Sequence, residues 1–128
     1  MPRIRVLVVE DDSIIRSNMV ETLIDAGYEV DDAETGDLAT KLLDRDGYKL
    51  VVTDLNMPGR ANGVDVAAYA HQHEPDLPVV FVTGRPDILA RLQKAGTPGA
   101  VLTKPFPLAE LVETVSDLLN LSDTAPRR

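Results

Sequence analysis

The chain has no cysteine and no tryptophan, and aromatic residues make up only 4% of it. Without cysteine there can be no disulfide staples, thiol nucleophiles or thiolate metal sites, and the composition fits a reducing compartment. No stretch approaches the roughly 20 consecutive apolar residues needed to span a bilayer. The opening Met1-Pro2-Arg3-Ile4-Arg5 runs directly into a strand-like pattern, without the long apolar segment of a secretory signal. Positive charge is in the minority, with 13 basic against 21 acidic side chains and a formal net charge of −8. An acidic surface repels phosphate backbones, which argues against direct nucleic-acid binding and favours a protein partner or a bound cation. A cytoplasmic protein with no membrane insertion is therefore expected.

The 128 residues suit one domain, and a hydrophobic fraction of 44% is ordinary for a globular core. Four short apolar segments read as buried strands: Ile4–Val9, Leu50–Thr53, Val79–Thr83 and Ala100–Thr103, with a weaker one at Tyr28–Asp32. The first is apolar almost without interruption, as expected of a strand covered on both faces. Helix-length segments separate them. Ser13–Ala26 has a candidate N-cap at Asp12 or Ser13, with Ile15, Met19, Leu23 and Ala26 at helical spacing. Thr35–Arg45 carries Leu38, Leu42 and Leu43, and Gly63–His73 stops before Pro75. Pro86–Ala95 is the fourth expected helix, and Pro107–Leu119 is the fifth, with a stripe of Leu108, Leu111, Val112, Val115 and Leu119. Strand and helix thus alternate five times. The fold class predicted is α/β, a doubly wound five-stranded parallel sheet with helices on both faces. The expected domain is residues 1–121, followed by a polar, flexible tail over 122–128.

In such sheets ligands bind at the carboxyl ends of the strands. Those ends here carry Glu10-Asp11-Asp12, Asp54, Thr83-Gly84 and Thr103-Lys104. Two carboxylates about 4 Å apart repel by roughly 4 kcal/mol at an effective dielectric near 20, so a cation is needed to keep such a cluster ionised. Oxygen ligands suit Mg²⁺, and Lys104 offers a compact positive charge to a phosphoryl oxygen. Taken alone, the acidic triplet also fits plain helix capping, the role expected of Asp12, and an aspartate after a strand is commonly a turn residue. His71 and His73 show no ligand-like spacing and read as surface polar residues.

Together Val-Val-Glu10-Asp11-Asp12-Ser, Asp54-Leu-Asn56-Met-Pro, Val-Thr83-Gly and Lys104-Pro105-Phe106 resemble the hallmark segments of response-regulator receiver domains, over roughly residues 3–120. The resemblance implies a flavodoxin-like, CheY-like fold and a signalling domain rather than an enzyme in its own right. It implies that Asp54 takes phosphate from a phosphohistidine donor, a histidine kinase or a histidine phosphotransfer protein. Asp11 and Asp54 would bind Mg²⁺, with Glu10 acting through metal-bound water and the Asn56 backbone carbonyl completing the shell. Lys104 and Thr83 would contact the phosphoryl group, and the Lys104–Pro105 bond would be cis. Asn56, Gly84 and Arg85 stand where the family tunes phosphoryl lifetime.

The chain departs from the family pattern in two places that affect output. Val101 stands where an aromatic residue normally follows the movement of the threonine, so the switch pair Thr83 and Val101 cannot work in the usual form. The loop Pro58–Gly63 is longer than is common, and Arg60 within it could take part in docking. With little sequence after the fifth helix, a stand-alone regulator acting on a downstream protein target is expected, with a phosphorylation-linked homodimer as one outcome. The alternatives are a receiver belonging to a hybrid kinase or longer regulator and, remotely, an aspartyl-phosphate phosphohydrolase of the haloacid-dehalogenase type. The last is suggested by Asp54-Leu55-Asn56 but opposed by the earlier position of Glu10-Asp11.

Overall fold

The computed structural model describes residues 3–45, 47–55, 63–84 and 99–122. Its elements run β1 (Arg5–Val9), α1 (Ser13–Asp25), β2 (Glu29–Ala33), α2 (Gly36–Leu43), β3 (Tyr48–Asp54), α3 (Gly63–His73), β4 (Val79–Thr83), β5 (Gly99–Thr103) and α4 (Leu108–Ser122). The expected helix Pro86–Ala95 lies outside the described residues, as do Asn56, Arg60 and Arg85. The last helix continues through Ser122, beyond the Leu119 at which its sequence stripe ends.

The five strands form one parallel sheet in the order β2-β1-β3-β4-β5. Alternate residues of each strand feed two cores. On one face Leu7, Val9, Val51 and Phe81 pack with Ala39 and Leu43 of α2 and Val66, Ala67 and Ala70 of α3. On the other, Val6, Val8, Val52, Val80 and Leu102 meet Met19 and Leu23 of α1 and Leu111, Val115 and Leu119 of α4. Two-sided burial explains why Val6–Val9 of β1 and Val79–Val82 of β4 are continuously apolar instead of alternating.

Three apolar positions expected on inner faces lie outside. Ala26 caps the end of α1 and is exposed, while Leu38 and Leu108 are 41% and 37% exposed. Each sits in the first or last turn of its helix, where the stripe has rotated away from the sheet. In α2 the inward position next to Leu38 is taken by Ala39.

Strand order reverses between β1 and β3, because β2 lies outside β1 while β4 and β5 continue beyond β3. That switch point opens a crevice at the carboxyl ends, which carry Glu10 and Asp54. At the opposite end of the sheet, Gly99 begins β5 at φ +142°, and a Cβ there would fall 1.8 Å from the Val79 carbonyl oxygen. No side chain fits, so the approach of β5 to β4 depends on glycine at this position.

Candidate functional site

Asp54 is the last residue of β3 and is buried at 5% exposure, in register with Val82 of β4. Glu10 follows β1 and is 1% exposed, while Asp11 next to it is exposed. Carboxylate oxygens of Glu10, Asp11 and Asp54 all lie within 4.8 Å of one another. Lys104 follows β5, and its amide donates to the Thr83 carbonyl oxygen at 2.8 Å, fixing where its side chain starts. From there Nζ lies 3.0 Å from Glu10 Oε1 and 3.3 Å from Asp54 Oδ2. The Lys104–Pro105 bond is cis.

Burial pushes the Glu10 carboxyl up to about 7, against the opposing pull of Lys104 and the Asp12 amide. Burial acts to lower the Lys104 ammonium as well, but Glu10 and the charge of Asp54 outweigh it and leave the amine above its ordinary value. Lys104 therefore keeps its charge, while Glu10 is the group whose ionisation is poised. Glu10 Oε2 accepts from the Asp12 amide at 3.1 Å. Its Oε1 is buried and has no aligned hydrogen bond among the described residues, although the Lys104 ammonium is within ion-pair distance. A buried oxygen held in this way beside two further carboxylates fits a hard divalent cation of the Mg²⁺ type.

Thr83 ends β4 at the same rim and is buried. Gly84 follows it and is exposed, and among the described residues a Cβ there would meet no atom within 4 Å. Val101 is half-buried in β5 and pairs in register with Phe81, against whose core it packs. Asp12 is the N-cap of α1, as its sequence position suggests, accepting from the amides of Ile14 and Ile15.

Two functional contacts have no counterpart in the sequence reading. Arg16 Nη1 donates to the Glu10 carbonyl oxygen at 2.8 Å, a contact that no sequence spacing signals. Gly63 begins α3 directly behind Asp54, and a Cβ there would stand 2.3 Å from the Asp54 carbonyl oxygen and 2.8 Å from Leu55 Cα. The glycine itself was visible in the sequence, but its packing against the acceptor's backbone was not.

A sequence profile of the response regulator receiver domain matches residues 6–116. The chain belongs to the response regulator receiver family. Among curated relatives, the response regulator receiver protein CpdR of Brucella abortus is 34% identical over 116 residues, covering 90% of this chain and 96% of that protein. The C4-dicarboxylate transport regulator DctD of Pseudomonas aeruginosa is 35% identical over 121 residues, covering 91% of this chain but 25% of DctD. The chain thus spans nearly all of one relative and a quarter of another. Among solved structures, the Thermotoga maritima response regulator TrrA in complex with Mg²⁺ and beryllium fluoride superposes with a TM-score of 0.80 at 34% identity, covering 90% of this chain and 98% of that one. This receiver domain is therefore a signalling module of two-component systems, with an acidic pocket of the kind that binds Mg²⁺ in the family. No helix among the described residues is long and apolar enough to cross a membrane.

Proposed function

We propose that this receiver domain accepts a phosphoryl group on Asp54 from a phosphohistidine donor and thereby changes its protein contacts. The observation that carries the reading is Lys104 Nζ, set between Glu10 and Asp54 at the sheet's switch point. A carboxylate oxygen of Asp54 forms the new O–P bond as the P–N bond of the donor breaks, and the electron pair of that bond returns to the imidazole nitrogen. Lys104 faces the phosphoryl oxygens and offsets their charge in a site where two carboxylates would otherwise repel them. Thr83 donates its hydroxyl proton to the acyl phosphate. Glu10, Asp11, Asp54 and the Asn56 carbonyl would hold Mg²⁺, which would offset charge on the phosphoryl oxygens. Self-catalysed hydrolysis, tuned by Asn56, Gly84 and Arg85, ends the signal.

An apolar groove of about 310 Å³ runs beside Lys104 between α1 and the segment after β5, lined in part by Ile15, Met19, Phe106 and Leu108. An apolar strip bordering the acceptor suits the docking of a histidine kinase or a histidine phosphotransfer protein. CpdR is matched over nearly its whole length and DctD over a quarter, so receivers of this kind occur both at this length and within longer regulators, and in either setting a downstream protein would read the phosphorylated state. Valine at position 101 argues for an output that does not use an aromatic switch.

The acceptor can be located chemically. After incubation with a phosphorylated donor and Mg²⁺, borohydride reduction converts an aspartyl phosphate to homoserine. Peptide mass spectrometry should find homoserine in place of Asp54. Homoserine at another aspartate, or at none, would overturn the assignment.

A further inference from the structure

Arg16 lies in the first turns of α1 with its side chain only 17% exposed. Its guanidinium reaches two acceptors at once. Nε donates to Asp32 Oδ2 at 2.9 Å, and Nη1 donates to the Glu10 carbonyl oxygen at 2.8 Å. Asp32 stands in β2 next to Ala33, whose carbonyl accepts from the Glu10 amide at 3.0 Å. Glu10 is therefore held on both sides, with β2 fixing its N–H and Arg16 fixing its C=O.

The carbonyl that Arg16 holds belongs to the peptide joining Glu10 to Asp11. That peptide is planar, so pinning its oxygen fixes the plane and with it the Asp11 Cα. Asp11 is exposed, which leaves little packing to orient its side chain. Its direction is set by its backbone, between the Arg16 contact on one side and the Asp12 cap of α1 on the other.

We propose that Arg16 is a positioning residue for the cation site, orienting the Glu10–Asp11 peptide so that the Asp11 carboxylate faces Asp54. The inference rests on the reading that these carboxylates hold Mg²⁺. It differs from a plain tether role, in which Arg16 would matter through its ion pair with Asp32, a partner 47% exposed at its side chain and so of small expected worth. A planar fork with several donors can serve a carbonyl and a carboxylate together, which the single ammonium of lysine cannot do in the same geometry.

The test is calorimetric titration of Mg²⁺ into the full chain without phosphodonor, for the wild type, Arg16→Gln and Asp32→Asn, with metal-free melting temperatures alongside. Arg16→Gln should bind Mg²⁺ about tenfold more weakly, the usual size for a partner that orients a ligand. Asp32→Asn should bind like the wild type, because the Glu10 carbonyl contact survives. Should Arg16→Gln not fold, Arg16→Lys carries the same test, with weakened binding expected. Unchanged Mg²⁺ affinity in the arginine variant, or an equal loss in Asp32→Asn, overturns the positioning role while leaving the Mg²⁺ reading intact. A wild-type chain that binds no Mg²⁺ overturns both.

Discussion

Lys104 Nζ lies 3.0 Å from Glu10 Oε1, although two strands, β3 and β4, separate β5 from β1 in the sheet. The lysine spans the rim, and on the way it passes within 3.3 Å of Asp54 Oδ2. One cation thus serves two buried carboxylates, and neither acid can be altered without changing the environment of the other.

The first consequence concerns pH. In the folded chain Glu10 takes up a proton below about 7, against an ordinary value of 4.5. Between those values the folded state binds the additional proton. The stability contributed by this group is therefore fully present below the ordinary value and is lost as pH rises through the folded one. Melting temperatures of the metal-free wild type and Glu10→Gln should diverge in favour of glutamine from about pH 5 to about pH 8. Mg²⁺ competes with that proton, so its affinity should rise over the same range in the wild type. A pH-independent gap between the two proteins would contradict the account.

Lys104→Ala removes the amine from both carboxylates. Phosphoryl transfer at saturating Mg²⁺ should fall by about 10²–10³-fold, the scale of losing one preorganised electrostatic contact. Stopped-time phosphorylation with radiolabelled donor measures it. An unchanged rate would show that the ammonium does not face the reacting group.

Gly63 tests the backbone behind the acceptor. The Cβ of Gly63→Ala would lie 2.3 Å from the Asp54 carbonyl oxygen, so the end of β3 or the start of α3 must shift. We expect a stability loss of about 1–3 kcal/mol by chemical denaturation. Phosphorylation should slow by about 10²-fold if the shift is taken up at Asp54. A variant with wild-type stability and rate would mean that the helix start yields at no cost.

Much of the site was legible because each reactive residue stands at the end of a strand that its apolar run announces. Asp54 follows Leu-Val-Val-Thr, Glu10 follows Val-Leu-Val-Val, and Lys104 follows Val-Leu-Thr, so topology alone gathers them at one rim. Contacts that depend on the pitch of a helix against the sheet were not legible. Arg16 reaches the Glu10 carbonyl only because α1 packs its Met19 and Leu23 face on β1 and β3, which directs the preceding turn back over the acidic loop. The same dependence explains Leu38 and Leu108, which are apolar by sequence and exposed by position. The histidines also gained roles that sequence spacing did not suggest. His71 Nε2 lies 2.9 Å from the Leu77 carbonyl oxygen, and His73 Nε2 lies 3.4 Å from Asp44 Oδ1, so each helps to tie down the end of α3.

The central claim is that Asp54 is the phosphoryl acceptor, and intact-mass measurement after exposure to a phosphorylated donor and Mg²⁺ tests it most directly. The wild type should gain the mass of one phosphoryl group and lose it again on standing, while Asp54→Asn should gain none. A mass gain in Asp54→Asn equal to that of the wild type would contradict the account.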